Sequence, residues 1–156
     1  MSTRISQREV YRLAPRIVKN LTGLSEQSPE SPFNALLTGL IRMRVSQING
    51  CAFCMHMHAA ELRSEGESQE RLDILSAWRE APDAFSREEK SALHWAEALT
   101  NVSSGVSNED FNVVAETFAP QAIVELTTII LEINSWNRIS VGFSFVPEIN
   151  KHSREA

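Results

Sequence analysis

The chain has 156 residues, of which 42% are hydrophobic, and this length and composition fit one compact domain that builds its core without disulfide staples. Acidic residues outnumber basic ones by 20 to 15, and no basic cluster forms a phosphate-binding stripe, so we expect no nucleic-acid partner. The N-terminus lacks an apolar signal segment and the most apolar stretch contains Glu125 and Glu132, so we expect a cytoplasmic protein that spans no membrane.

Helix start signals recur along the chain, whereas the alternating pattern of a half-buried strand is not found over any useful length. The pattern therefore predicts an all-α fold. Ser6 and Glu9 form a capping box ahead of the first helix, whose apolar residues recur at helical spacing as far as Leu21. Pro15 lies inside this helix and should kink or shorten it.

The second and third predicted helices surround the two cysteines of the chain. Ser31 followed by Pro32 predicts the N-cap and first turn of the second helix, which Asn49-Gly50 ends. A third helix then starts at Cys51 and runs to a C-cap at Gly66. The cysteines are thus expected in a first helical turn.

Three further helices are predicted before the last one, and their N-caps are Ser68, Ser86 and Ser107, with Glu89 completing a capping box with Ser86. The last helix runs from Pro120 to about Gly142 and is apolar on nearly every side, which is typical of a buried helix. A domain this small covers such a helix with difficulty, so we expect a subunit interface and a homo-oligomer. The tail from Pro147 to Ala156 is polar and is expected to fray.

Cys51 and Cys54 are three residues apart and His58 follows four residues later, a spacing that places all three on one helical face. The unpaired amides of a first helical turn favour a thiolate there. We expect Cys54 to be the nucleophile, Cys51 to resolve its sulfenic acid to a disulfide, and His58 to accept or donate the proton. The spacing alone also allows the reverse assignment of the two cysteines.

Other interpretations of the same residues remain open at this point. The cysteines could simply pack as small apolar side chains. Together with His58 they are also three acceptable zinc ligands, but a structural zinc site needs a fourth ligand, for which His94 is a distant candidate. His56 faces the opposite side of the helix, whereas Glu61 follows His58 by three residues and could orient the imidazole.

Two further groups of residues have expected structural roles. The three tryptophans occupy apolar helical positions and are expected in the core; they are Trp78, Trp95 and Trp136. Asn134 and Asn137, with Arg138, stand on an otherwise apolar helix, which indicates a buried polar cluster that fixes packing or subunit register.

Residues 44–58, Arg-Val-Ser-Gln-Ile-Asn-Gly-Cys-Ala-Phe-Cys-Met-His-Met-His, closely resemble the core signature of the alkylhydroperoxidase D-like proteins, within the carboxymuconolactone decarboxylase superfamily. The resemblance extends to residues 89–100 and 133–138. It implies a single all-helical domain over residues 1–156 that assembles as dimers, trimers or hexamers. It also implies thiol peroxidase or disulfide reductase activity without a metal or organic cofactor, with the roles given above for Cys54, Cys51 and His58.

The chain departs from this family pattern at two positions. The best-known members use a glutamate twelve residues before the first cysteine and a histidine immediately before the second, and here these positions are Gly39 and Phe53. The base must then be His58 alone or a group from elsewhere in the fold, and peroxidase activity could be weak. Sequence-distant candidates for the missing carboxylate are Glu97, Glu125 and Glu132.

The expected function is that of an antioxidant, peroxiredoxin-type oxidoreductase. A hydroperoxide is attacked by Cys54, Cys51 closes the disulfide, His58 moves protons, and an external lipoyl or thioredoxin-like dithiol restores the pair. A non-enzymatic redox or metal-responsive sensor is the alternative from another class. A decarboxylase-like enzyme ranks last, because decarboxylation has no evident use for a cysteine pair.

Overall fold

The computed structural model describes residues 4–26 and 29–149, and every regular element in these two stretches is helical, which confirms the all-α prediction. The eight α-helices are α1 (Gln7–Leu13), α2 (Pro15–Ser25), α3 (Ala35–Ile48), α4 (Ala52–Ser64), α5 (Gln69–Ile74), α6 (Arg87–Thr100), α7 (Asn108–Ala115) and α8 (Pro120–Gly142). Short 3₁₀ helices follow α5 at Leu75–Glu80 and α6 at Val102–Ser104.

The first predicted helix is divided in two at Pro15. Ala14 adopts φ −134° and ψ 68°, and Pro15 then occupies the first turn of α2, where its missing N–H costs nothing. Ser6 caps α1 by accepting a hydrogen bond from the N–H of Glu9 at 3.3 Å. The Glu9 carboxylate lies 3.3 Å from Arg12, so it forms an ion pair within the helix.

The predicted start of the second helix at Ser31 was wrong by a few residues. The N-cap is Asn34, whose side chain accepts a hydrogen bond from the N–H of Leu37 at 2.9 Å. Ser31 instead accepts from the N–H of Phe33 at 3.4 Å, in a local turn that leads the buried Phe33 ring into the core. A nearer side chain with a strong capping preference therefore decides where α3 begins.

The remaining helix boundaries follow the sequence signals. Ser68, Ser86 and Ser107 are the N-caps of α5, α6 and α7, and the capping box of Ser86 with Glu89 is complete. Gly66 follows the C-cap of α4 at φ 94° and ends the helix as predicted. Residues 147–149 carry no regular structure, and the rest of the tail predicted to fray lies outside the described residues.

Helix α3 lies at the centre of the domain and packs against α4, α6 and α8. One of its faces joins a core cluster shared with α6, α7 and α8, to which it contributes Leu37, Ile41 and Val45. Its other face joins a second cluster with α4, α5 and the first 3₁₀ helix, to which it contributes Leu40 and Met43. The C-terminal end of α3, which leads directly to Cys51, is thus held from both sides.

Helix α8 is buried along most of its length but not all round. Its apolar residues Leu126, Ile129, Ile130 and Ile133 are almost fully buried, whereas Val124, Leu131 and Val141 are exposed by 67%, 58% and 46%. Val124 and Leu131 lie seven residues apart on one helical face and define an exposed apolar stripe on α8. Within the described residues no single helix has the length and apolarity to cross a membrane, although α7 and α8 would meet that criterion jointly across a bend of 115°.

Candidate active site

The turn between α3 and α4 fixes the position of Cys51. Gly50 adopts φ +65°, a left-handed conformation that a residue without a Cβ reaches at little cost. The N–H of Gly50 donates to the carbonyl of Gln47 at 3.2 Å, and the N–H of Cys51 donates to the carbonyl of Ser46 at 3.0 Å. This paired pattern is a Schellman motif, so Cys51 follows the end of α3 in a defined geometry.

Cys51 is also the N-cap of α4 and directly precedes its first helical residue, Ala52. Its Sγ accepts a hydrogen bond from the N–H of Cys54 at 3.2 Å. The two cysteines are almost fully buried, with Cα atoms 5.3 Å apart, and they form a disulfide. The pair therefore lies at the positive end of the α4 dipole, as the sequence predicted for a first helical turn.

A polar cluster joins this turn to α8. Nδ2 of Asn49 donates to Oδ1 of both Asn134 and Asn137 at 3.0 Å, and Nδ2 of the fully buried Asn137 donates to Oγ of Ser46 at 3.0 Å. Arg138 donates to Oδ1 of Asn134 at 3.0 Å. The polar cluster predicted on α8 is thus present, but of its members on α8 only Asn137 is buried, and Arg138 is exposed. The cluster explains the Ser and Asn of the Ser-Gln-Ile-Asn-Gly run as residues that position the turn before Cys51.

His58 lies one turn beyond Cys54 and is 5% exposed. Its Nδ1 is 2.8 Å from Oε2 of Glu61, and because an ionised carboxylate can only accept, Nδ1 carries the hydrogen. This hydrogen bond is the main cause that lowers the pKa of Glu61, and the nearby positive charge of Arg42 adds to it. Among the described residues, no side chain or backbone group lies within hydrogen-bond distance of Nε2 of His58.

A cavity of about 350 Å³ lies beside the pair, and Cys54 borders it whereas Cys51 does not. Cys54 and His58 share its lining with two contrasting walls. The aromatic wall consists of Tyr11 from α1, Phe53 from α4 and Trp136 from α8. The polar wall consists of Ser25, Arg42, Glu61 and Glu132.

Glu132 is one of the three carboxylates considered as a substitute for the missing family glutamate, and it lies in this cavity. It is 4% exposed; its Oε1 accepts from Oγ of Ser25 at 2.6 Å and its Oε2 accepts from Nε of Arg42 at 3.1 Å. Glu97 instead accepts from Arg44 at 2.7 Å and from Trp78 at 2.9 Å, outside the cavity lining. Glu125 is not part of the lining either.

At the position of the family glutamate an added side chain meets Leu62. A Cβ at Gly39 would lie 2.6 Å from Cδ2 of Leu62, on the neighbouring helix α4. Any side chain at this position therefore requires the buried Leu62 side chain to shift. Phe53, at the other departure from the family pattern, lines the cavity next to Cys54.

The remaining candidate residues lie elsewhere. His56 is exposed, as expected. The suggestion of His94 as a distant zinc ligand was wrong. Its Nε2 is 2.9 Å from Asp110 and its Nδ1 is 3.2 Å from Arg79. These contacts connect α6 to α7 and to the first 3₁₀ helix. Within 4–26 and 29–149, no group of three or more His, Cys, Asp or Glu side chains is arranged to hold a metal ion.

The tryptophans are divided between core and cavity. Trp78 and Trp95 are buried in the two core clusters as predicted, and their indole N–H groups donate to Glu97 and Thr127. Trp136 packs against the core, but it also lines the cavity, so its assignment to the core alone was wrong. Sequence reasoning missed Tyr11, Ser25 and Arg42, although a charged Arg42 inside an apolar helix was a usable signal.

Comparison with known proteins agrees with this architecture. The profile of the carboxymuconolactone decarboxylase family matches residues 9–98. The uncharacterized protein YdfG of Bacillus subtilis is 41% identical over 143 residues, which cover 91% of this chain and 95% of that protein.

Solved structures show the same fold. The crystal structure of a protein of unknown function from Agrobacterium tumefaciens, provisionally named as an antioxidant defence protein, is 33% identical with a TM-score of 0.85, covering 96% of this chain and 100% of that one. An uncharacterized peroxidase-related protein from Silicibacter is 22% identical with a TM-score of 0.77, covering 92% and 76%, and supports the fold alone.

Proposed function

The chain belongs to the carboxymuconolactone decarboxylase family, in the superfamily of the alkylhydroperoxidase D-like proteins, and from this premise we propose that it is a thiol peroxidase that reduces a hydroperoxide. One observation carries the proposal. Cys54 and the buried His58, with its Nε2 free of any described partner, border a single cavity of about 350 Å³ that is large enough for a small substrate.

The first step is attack by the reduced Cys54. Nε2 of His58 takes the thiol proton, and the thiolate, at the N-terminal end of α4, attacks the terminal peroxide oxygen. The sulfur–oxygen bond forms as the oxygen–oxygen bond breaks, and the departing alkoxide takes the proton from His58. One hydroperoxide thus becomes one alcohol, and Cys54 becomes a sulfenic acid.

The second and third steps regenerate the pair. The thiol of Cys51 attacks the sulfenic acid of Cys54, which releases water and forms the disulfide that the structure contains. An external dithiol, of the lipoyl or thioredoxin kind, then reduces this disulfide and is itself oxidised to a disulfide. The position of Cys54 on the cavity, with Cys51 behind it, supports this assignment over the reverse one.

Glu61 orients His58 in this scheme. Its carboxylate holds the hydrogen on Nδ1, which leaves Nε2 as the basic nitrogen of the ring. An ionised Glu61 also stabilises the imidazolium that exists between proton uptake and release. Arg42, fixed by the buried Glu132, lies close enough to favour the ionised form of Glu61.

We further propose that the protein works in the cytoplasm. We also propose that it is a homo-oligomer, because the exposed apolar stripe of Val124 and Leu131 is the kind of surface that a second copy covers. Native mass spectrometry gives the subunit number. Replacing Leu131 by Lys should shift the protein to monomer, whereas a lysine at the exposed Glu88 on α6 should leave the assembly intact. A wild-type monomer would contradict this proposal.

The function is tested with the reduced, metal-free protein, a hydroperoxide and a dithiol donor. We expect turnover, together with a two-proton mass loss on the peptide that contains both cysteines. Cys54→Ser should abolish turnover, and Cys51→Ser should stop at a sulfenic acid that dimedone traps on Cys54. Full turnover by Cys54→Ser would refute the mechanism, and a single oxidation without turnover would favour a redox sensor.

A further inference from the structure

The aromatic wall of the cavity is a built surface rather than a chance grouping. Tyr11 and Trp136 meet edge to face, with ring centroids 6.1 Å apart. Phe145, just beyond α8, lies behind the wall and contacts Tyr11 at 6.0 Å and Phe53 at 5.9 Å, again edge to face. Rings held in this way by other rings keep a fixed orientation toward the cavity.

Phe145 is itself held in place by the end of α8. Ser144 adopts φ 55°, and the N–H of Phe145 donates to the carbonyl of Ser140 at 2.9 Å. This is a left-handed helix end of the same kind as the turn before Cys51. The wall therefore draws on three separate parts of the chain, namely α1, the start of α4 and the end of α8.

The same cavity also contains the reactive residues. Cys54 and His58 belong to its lining, His58 is 5% exposed, and its buried Nε2 has no hydrogen-bond partner among the described residues. A buried nitrogen without a partner is costly, which points to a ligand atom that completes its hydrogen bonding. A bound molecule would thus place a polar atom at His58 and an apolar group against the rings.

The size of the cavity limits that apolar group. At about 30 Å³ for each water-sized group in a condensed phase, the volume of about 350 Å³ holds roughly a dozen non-hydrogen atoms. A phenyl ring on a short branched carbon fills such a space. Hydrogen peroxide leaves most of it empty and makes no contact with the aromatic wall.

We propose that this wall, formed by Tyr11, Phe53 and Trp136, is the binding site for the organic group of the substrate, and that the preferred substrate is a compact arylalkyl hydroperoxide, in which one short carbon branch carries both the phenyl ring and the peroxide. This inference rests on the proposed peroxidase function and adds its substrate class. The ring of the substrate packs edge to face on Tyr11 and Trp136 while its peroxide oxygen faces Cys54 and His58. Its reduction follows the steps given above and yields the corresponding arylalkyl alcohol.

Turnover with three peroxides tests the preference. Burial of a phenyl group against the wall should raise kcat/KM for cumene hydroperoxide over hydrogen peroxide on the order of 100-fold, with tert-butyl hydroperoxide between them. In Tyr11→Leu this ratio should fall about tenfold, and Tyr11→Phe should restore it. Phe111→Leu, an exposed ring on α7 outside the cavity lining, should leave the ratio within about twofold of wild type.

A binding measurement keeps the inference separate from turnover. Trp78 and Trp95 are buried in the core, so Trp136 is the indole that reports on the cavity. The product 2-phenylpropan-2-ol should change the tryptophan emission of the wild-type protein with a saturating curve, whereas tert-butyl alcohol should not. In Trp136→Phe the change should vanish, and in Tyr11→Leu the curve should move to about tenfold higher concentration.

The outcomes separate the two proposals. Equal kcat/KM values for all three peroxides, together with equal changes in tryptophan emission with both alcohols, would overturn the proposed binding site for the phenyl group. The peroxidase function would stand. Saturable binding of the arylalkyl alcohol without turnover of any peroxide would support this binding site and overturn the peroxidase function.

Discussion

Nδ2 of Asn49 lies 3.0 Å from Oδ1 of Asn137, so a side chain two residues before Cys51 is bonded to the buried middle of α8. The same Asn137 donates to Ser46, whose carbonyl accepts the N–H of Cys51. Together with the bond from Asn49 to Asn134, three side-chain bonds therefore hold the loop that carries the cysteine pair against the longest helix. The geometry of the pair depends on a residue more than 80 positions later in the chain.

Asn137→Ala should destabilise the protein by about 1–3 kcal/mol, because it leaves the buried hydroxyl of Ser46 without its partner and removes one of the two acceptors of Asn49. Urea unfolding of the reduced protein measures this loss. Ser135→Ala, which removes only a bond to the carbonyl of Leu131 within α8, should change the free energy of unfolding by less than about 0.5 kcal/mol. Equal effects of the two changes would refute the tethering role of Asn137.

Glu61→Gln should slow alkylation of Cys54 at neutral pH by about 3- to 10-fold, because the imidazolium of His58 loses its ionised partner. Since Glu61 is 59% exposed, we expect the lower part of this range. The pH profile of the iodoacetamide labelling rate should also shift to higher pH. Glu65→Gln, an exposed position one turn later, is the matched control and should leave the profile in place; a shift in both variants would show only a change in overall charge.

Gly39→Ala should destabilise the protein by about 1–3 kcal/mol, because its Cβ would meet Leu62 at 2.6 Å. Gly23→Ala is the control: this position lies inside α2 with nothing within 4 Å of the added carbon, and the change should stabilise by about 0.5–1 kcal/mol. Adding Leu62→Val should recover part of the loss at Gly39. Thermal unfolding of the three variants checks the signs, and a neutral Gly39→Ala would contradict a tight contact with Leu62.

Stability should fall in acid partly through Glu97. Burial raises the pKa of this carboxyl, but hydrogen bonds from Arg79, Trp78 and Arg44 outweigh it and hold the pKa below the ordinary value of 4.5. A carboxyl with a lowered pKa in the folded state contributes stability above pH 4.5, and this contribution is lost as the pH falls through the folded-state pKa.

Glu97→Gln should therefore be less stable than wild type at pH 7, and the difference should narrow as the pH falls below 4.5. Urea unfolding at a series of pH values measures the difference. Glu109→Gln, at a position on α7 with no role in this network, should have the same free energy of unfolding as the wild type at every pH. A difference between Glu97→Gln and wild type that stays constant with pH would refute the contribution of the carboxylate charge.

Local signals in the sequence were enough for most of the fold. Serine N-caps, the glycines at 50 and 66 and the proline at 120 mark helix ends through short-range chemistry, and the structure places helix ends at these points. The spacing of Cys51, Cys54 and His58 placed them on one face for the same reason. The start of α3 was missed because two capping residues compete within four positions, and Asn34 prevails over Ser31.

The rest of the site depends on contacts that no local pattern contains. Glu132 reaches the cavity because α8 packs beside α2 and α3, and its partners Ser25 and Arg42 are 107 and 90 residues away in the chain. Tyr11 and Trp136 meet across a similar separation. A sequence pattern identifies such residues as unusual on their helices, but only the packing of whole helices decides which of them share a cavity.

Ser144 ends α8 in a left-handed turn and thereby sets the position of Phe145 behind Tyr11 and Phe53. A residue outside the cavity lining thus supports two rings of the aromatic wall from behind. A change at this helix end alters the substrate-binding wall and leaves the cysteine motif untouched. Proteins that share the motif are therefore expected to differ in substrate specificity where the segment after α8 differs.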